Sequence, residues 1–371
     1  MRILYLTDQT YLHGGIEKVL SQKANYLAEV SNYEVYIVTY NQQHNQPIYA
    51  FNTKIKMVDL GINYKIGRSY FHPLHLKKIP KHRTALKKTI QLIRPDIIIS
   101  CSFGADFYFI PSLEKHIPKI KEFHSSRYFY NGNSFSIKDK LLKRLTTITE
   151  NKYHQLAILN DSERGFYQNE KIEVIPNPAS ISMERADLTS KKILAAGRIS
   201  PVKNFSELIE IFARISTVFP DWELHFFGED YGGTQAELEQ KIKDFGLESQ
   251  IKFMGVSSDL KNIMQEYSIY AMTSETECFP MVLLEALSVG MPVISYDCPT
   301  GPKHILTNND DSFVVPYKNL DNFVDKLKEL MQNENLRQKM AIKGRENVYR
   351  FSIDKVMKQW TGLFSSLLDK N

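Results

Sequence analysis

Several catalytic signatures are missing from this chain. It has no Gly-x-Ser-x-Gly elbow, no Walker phosphate loop, no His-Glu-x-x-His pair and no Asp-x-Asp, which removes the commonest hydrolase, P-loop and zincin readings and favours chemistry without a metal. Cysteine is scarce: Cys101, Cys278 and Cys298 are odd in number and lack the paired spacing of a zinc site, so they fit a reducing cytosol. Long apolar runs are absent too, with nowhere about 18 consecutive apolar residues free of charge or turn formers, so no helix is expected to span a membrane. The opening run Met1-Arg-Ile-Leu-Tyr-Leu-Thr-Asp is too short for a signal-peptide core and has no cleavage site, and the expectation is a cytoplasmic protein. Acid is missing from one stretch. Between Asp59 and Asp96 stand Lys65, Arg68, Lys77, Lys78, Lys81, Arg83, Lys87, Lys88 and Arg94 with no Asp or Glu, and Tyr64, Tyr70 and Phe71 lie among them. This basic segment, 62–94, is either a solvated helix face or a docking surface for anionic headgroups at the inner face of the membrane, or for a phosphorylated acceptor. Nucleic acid is not expected, because no helix-turn-helix, zinc-finger or aromatic RNA-binding signature accompanies the charge.

What is present is an ordinary globular composition, 43% hydrophobic and 24% charged with a net charge of +5. A chain of 371 residues exceeds one core and predicts two domains of roughly 150 to 200 residues each. Short β-branched runs alternate with amphipathic stretches in both halves. The first half predicts strands at 2–7, 34–40, 96–101, 119–123, 155–159 and 171–175, and helices at 16–30, 81–93 and 137–152. Runs such as Ile97-Ile-Ile-Ser-Cys are apolar on consecutive positions, as parallel strands buried on both faces are. Around Val174-Ile-Pro-Asn-Pro-Ala the rhythm breaks, and Pro176 and Pro178 mark a linker. It restarts with strands at 192–196, 223–227, 251–254, 269–273 and 292–296 and helices at 204–217, 234–245 and 281–289; residues 320–368 read as helical. The fold class expected is α/β, with two doubly wound Rossmann-like domains, 1–178 and 179–350, and a ligand at the carboxyl ends of the strands in an interdomain cleft.

Three constellations could carry chemistry. In Ser274-Glu-Thr-Glu-Cys-Phe-Pro-Met-Val-Leu-Leu-Glu, Glu277 ends a loop, Pro280 suits a first helical turn and Glu285 falls mid-helix among apolar neighbours. A carboxylate there costs several kcal/mol unless it is paired, and the two hydroxyls of a ribose would pair it. Glu277 stands before the helix amino terminus, where the backbone N–H groups of 278–281 favour a phosphate or an oxygen-rich sugar. A structural buried glutamate beside an exposed loop acid is the plainer reading. Second, Gly197-Arg198-Ile-Ser-Pro-Val-Lys203-Asn204 follows a strand and leads into a helix; two cations at such a corner suit adjacent phosphates, though a solvated basic loop would look alike. Third, His13-Gly14-Gly15 follows the first strand and permits close backbone approach to a diphosphate, yet alone it is a turn. His124 ends the strand at 119–123, where a histidine is more often a packing or capping residue.

Taken together these residues resemble the retaining glycosyltransferases of family 4, which have the GT-B architecture. The resemblance rests on Gly14-Gly15, the Val-Ile-Pro-Asn-Pro bridge, Gly197-Arg198 with Lys203-Asn204, Phe227-Gly228-Glu229, Phe253-Met-Gly255 and the Glu-x7-Glu pair Glu277 and Glu285; Asp297-Cys-Pro-Thr-Gly-Pro resembles members that build bacterial surface polysaccharides. It implies that Arg198 and Lys203 hold a donor diphosphate approached by Gly15, that Glu285 binds the ribose, and that Glu277 faces the transferred sugar. Gly14, Gly197, Gly228, Cys278, Phe279, Pro280, Met281 and Val282 would line the donor, Met254 and Val256 would border its base, and His124 matches the family's sugar-facing histidine by its place after a strand. No cofactor is implied beyond the co-substrate, a nucleotide diphosphate sugar and by resemblance a UDP-sugar; the partner acceptor is a lipid-linked or polysaccharide hydroxyl. Residues 351–371 would cross back to the first domain as a helix. Cys278 and Pro280 depart from the glycines common in the family, and Pro280 has no N–H to donate. A nucleotide-sugar epimerase or hydrolase of the same fold, and a non-catalytic nucleotide-sugar-binding subunit, are the alternatives.

Overall fold

The computed structural model describes residues 1–65, 67–128, 136–257 and 259–369. The chain divides into two compact units: Met1–Pro178 together with the residues from Ile353 onward, and Ala179–Ser352.

Unit 1 is built on seven parallel strands, β1 (Arg2–Leu6), β2 (Glu34–Thr39), β3 (Lys56–Asp59), β4 (Ile97–Ser100), β5 (Lys119–Glu122), β6 (Gln155–Ile158) and β7 (Ile172–Val174), in the order β3-β2-β1-β4-β5-β6-β7. Their consecutive apolar residues go to opposite faces of the sheet, as the two-residue period of a strand requires. Ile3, Tyr5, Ile97 and Ile99 face one core with Leu20, Ala24 and Leu27 of the helix Gly15–Glu29 and with Val356, Trp360 and Phe364 of the helix Ile353–Leu368. Leu4, Leu6 and Ile98 face the other with Leu86 and Ile90 of the helix Ile79–Ile93. The order reverses at β1 and β4, the kind of switch point outside whose carboxyl ends doubly wound sheets bind ligands.

Unit 2 has six parallel strands, β8 (Lys192–Ala196), β9 (Glu223–Phe227), β10 (Ile251–Phe253), β11 (Ile269–Met272), β12 (Val293–Tyr296) and β13 (Ser312–Val315), in the order β10-β9-β8-β11-β12-β13. Its switch point lies at β8 and β11, whose register pairs Ile193 with Ile269. One face packs Ile193, Ala195, Leu224 and Phe226 against Phe205, Leu208 and Phe212 of the helix Phe205–Ala213. Both sheets are thus doubly wound Rossmann-like layers. β3 and β13 are absent from the sequence reading. Among the described residues no helix is long and apolar enough to cross a membrane.

Candidate active site

In unit 2 the expected residues gather at the β8/β11 switch point. Gly197 follows β8 and Gly228 follows β9, both at positive φ, 149° and 154°. A Cβ on Gly228 would lie 1.9 Å from the Gly197 carbonyl oxygen, a backbone atom that cannot move aside, so the two strand ends approach only because residue 228 is glycine. A Cβ on Gly197 would meet the Lys203 side chain at 2.6 Å; the lysine stem therefore runs directly across this glycine. Its ammonium reaches the Glu277 carboxylate, Nζ to Oε1 2.6 Å, with both side chains largely buried. The loop holding Lys203 is fixed by the Thr273 hydroxyl, which donates to the Asn204 carbonyl at 2.9 Å, and by the Glu275 N–H, which donates to the Val202 carbonyl at 2.8 Å. Arg198 is exposed, its guanidinium 5.3 Å from the centre of the Tyr231 ring.

Glu277 is seated by a turn that lies beyond β12. The Thr300 hydroxyl donates to the Glu277 carbonyl at 2.7 Å, and a Cβ on Gly301 would meet the Glu277 Cβ at 2.5 Å. The Asp297-Cys-Pro-Thr-Gly-Pro segment is thus a support for the loop acid. Cys278 and Phe279 are buried, Phe279 with its ring edge-on to Phe351, and Pro280 caps an eight-residue helix, Met281–Ser288, whose first residues Met281 and Val282 are half-buried. Glu285 is buried in its middle. Burial, then the charges of Glu277 and Glu285, push the Tyr270 phenol on β11 up, so both carboxylates act on the same strand. Gly255 accepts from the Gly228 N–H at 2.8 Å, and Met254 and Val256 on either side of it are exposed.

Unit 1 places its expected residues separately. Gly14 precedes, and Gly15 begins, the helix Gly15–Glu29, and a Cβ on Gly14 would strike the Glu17 carboxylate at 2.2 Å. Burial raises the pKa of Glu17, which accepts from the Gln9 side chain. His124 follows β5 and is half-buried, its side chain 7% exposed and 3.5 Å from Glu122, with neither ring nitrogen hydrogen-bonded. Burial holds its imidazole down to about 4. The Glu122 charge pulls the other way, but Lys23, Nζ to Oε1 2.5 Å from that carboxylate, and Lys121 oppose it. Cys101, Glu122 and His124 bring ligand atoms within 4.8 Å of one another, and the Glu122 carboxylate already pairs with the Lys23 ammonium.

Sequence reasoning missed a further group in unit 1, at the β1/β4 switch point. Asp8 follows β1, and Asp106 and Ser102 follow β4. Burial raises the pKa of Asp106 to about 7, with the charge of Asp8 adding to it, and one of its oxygens has no hydrogen-bond partner. The Tyr40 and Ser102 hydroxyls lie 3.3 Å apart, and Lys121 donates to the carbonyls of Ser100 and Ser102 at 3.0 and 2.7 Å. Only the place of these residues after short β-branched runs could have flagged them.

Residues 13–182 match the family model described as Glycosyltransferase Family 4, and residues 179–347 the one described as Glycosyl transferases group 1. With both halves of the chain matched, it belongs to the family 4 glycosyltransferases, enzymes of the GT-B fold. The chain is 26% identical over 357 residues to an uncharacterized glycosyltransferase of Haemophilus influenzae, covering 94% of this chain and 96% of that one. It is 24% identical over 382 residues to the amylovoran biosynthesis glycosyltransferase AmsD of Erwinia amylovora, covering 98% and 99%. A TarM variant of S. aureus solved with fondaparinux, alpha-GlcNAc-glycerol and UDP superposes with a TM-score of 0.80 at 15% identity, covering 98% of this chain and 99% of that one.

Proposed function

We propose that this enzyme moves a hexosyl or N-acetylhexosaminyl unit from a UDP-sugar to a hydroxyl of a lipid-linked or polysaccharide acceptor, retaining the anomeric configuration and using no metal. The observation that carries the reading is the Lys203–Glu277 pair across the β8/β11 switch point, 2.6 Å from Nζ to Oε1, with exposed Arg198 at the same strand end. A leaving diphosphate develops negative charge as the glycosidic bond breaks. A guanidinium that grips oxygens bidentately and an ammonium held over a glycine supply fixed positive charge there, which is how electrostatic preorganisation lowers such a barrier. Glu277 is then directed at the hydroxyls of the moving sugar, with Cys278, Phe279, Pro280, Met281 and Val282 around it. Glu285 takes the ribose, and Met254 and Val256 the base. The departing diphosphate accepts the acceptor proton on the face from which it leaves.

In unit 1, Gly14, Gly15 and His124 are assigned to the donor's phosphate and sugar end, and the Asp8 and Asp106 carboxyls to a hydroxyl-rich acceptor. The amylovoran relative and the UDP-bound neighbour support the polysaccharide acceptor and the uridine donor. The test is turnover with UDP-sugars and an added polyprenyl-diphosphate saccharide, the product anomer being read by proton NMR. Arg198→Ala and Lys203→Ala each lower transfer by about a hundredfold or more, and EDTA leaves it unchanged. Sugar release without an acceptor adduct, or near-normal turnover in both variants, overturns the reading.

A further inference from the structure

The helix Ile137–Glu150 of unit 1 is inside out. Ile137, Leu141, Leu145 and Ile148 share one helical face, and that face is turned to solvent: the four are 80%, 62%, 41% and 45% exposed. The side that packs on the unit is mainly polar, with Leu142 half-buried among its threonines. Thr149 and Glu150 are buried, the Tyr108 and Thr146 hydroxyls lie 3.5 Å apart, and Glu150 binds the Arg127 guanidinium. A helix docked only for stability would place its leucines inward and its threonines outward. Here a Ser136/Asp139 capping box holds the helix in place while its apolar stripe stays uncovered.

The stripe does not stand alone. Phe71, Leu74, Leu76, Phe103 and Tyr128 are exposed as well, and Tyr108 ties Phe71 and Phe103 to the helix, with ring centres 5.3 Å and 6.4 Å from its own. Cations border this apolar area: Lys140 and Arg144 on the helix, Arg68 and Lys77 beside Phe71 and Leu76, all exposed. By contrast the helix Ile79–Ile93, the heart of the basic segment, buries Leu86, Ile90 and Ile93 and exposes Lys81, Arg83, Lys87 and Lys88, with Leu92 its one exposed large apolar residue.

We propose that unit 1 docks on an anionic lipid bilayer through the outward stripe of the helix Ile137–Glu150 and the neighbouring Phe71 and Phe103, with Lys140, Arg144, Arg68 and Lys77 on the headgroups. An in-plane helix with an apolar face and basic flanks matches the polarity gradient of a bilayer interface, and anionic headgroups match the sign of its flanks. A second copy of the same face would bring Lys140 and Arg144 against like charges. Docking at this face sets the segment after β4, which carries Phe103 and Asp106, against the bilayer, where the acceptor of a membrane-bound glycan lies. The binding does not depend on the transfer reaction.

The test uses the full chain without donor, co-sedimented with vesicles of phosphatidylglycerol and phosphatidylcholine, and with phosphatidylcholine alone. Expected is partition onto the anionic vesicles that weakens with salt, falls about tenfold or more in Leu141→Asp/Leu145→Asp, and falls in Lys140→Glu/Arg144→Glu chiefly at low salt. Both variants keep the circular dichroism spectrum of the parent. Ile137→Glu, at the most exposed position, is the second variant should the first unfold. Absence of binding to anionic vesicles, binding that none of these changes weakens, or a dimer in light scattering that Leu141→Asp dissolves each overturns the proposal.

Discussion

At the scale of single residues the site turns on who neutralises whom. The sequence suggests separate tasks for Lys203 and Glu277, one for the diphosphate and one for the sugar; in the fold they form an ion pair, because a contact between residues 74 positions apart leaves no local pattern. Glu277→Gln is expected to lower kcat by more than it changes the donor KM, whereas Glu285→Gln raises donor KM with a smaller change in kcat; steady-state kinetics against donor concentration measure the split, and equal effects on both parameters would refute the division. A second residue-scale expectation concerns acid. An unfolded histidine titrates near about 6.5, while burial holds His124 and His82 down to about 4 in the fold. Between those values the unfolded chain binds more protons, so the stability that the neutral imidazoles confer is complete above the upper value and is lost as pH falls towards the lower one. Urea midpoints are expected to fall across this window, less steeply in His124→Gln.

At the scale of elements, legibility follows burial. β4, all of it buried, is plain in the sequence as an unbroken apolar run. β3 is not, because it is an edge strand of four residues, Lys56-Met-Val-Asp, with three of them exposed and hence no alternation to read. β13 is equally short and follows the polar turn 307–311, so it offers no long apolar run to read. The glycine, arginine and glutamate motifs were legible because strand ends and helix starts in a doubly wound sheet are marked by turn residues. Their supports were not: the Thr300–Gly301 turn and the Asp8 and Asp106 group depend on strand order, which no local pattern contains. The helix Ile353–Leu368 covers the Lys23–Glu122 pair, with the Lys23 ammonium 3.8 Å from the centre of the fully buried Trp360 ring. Trp360→Ala removes core volume and a cation–π partner together and is expected to cost about 3–5 kcal/mol, read as a lowered urea midpoint at unchanged slope.

At the scale of the whole molecule, the chain enters unit 2 at Ala179 and leaves it at Ser352, while unit 1 needs chain from both ends. A fragment of residues 179–352 carries its own sheet and core and is expected to unfold cooperatively by calorimetry and to be stabilised by added UDP. A fragment of residues 1–178 lacks Val356, Trp360 and Phe364, which belong to one of its two cores, and is expected to precipitate or to lack a cooperative transition. Adding residues 353–371 through a short linker should restore one.

The two ends of unit 2 are neighbours: Ala179 and Ser352 are bridge partners, and the Ala179 N–H donates to the Phe351 carbonyl at 2.7 Å. A segment whose ends meet behaves as a cassette. It can be replaced by the equivalent piece of a relative without recutting the host, since the host sees only one point of exit and return. Inheritance of the two sheets need not then be coupled, and a lineage could exchange one contiguous stretch of gene while the specificity carried by the other unit stayed behind.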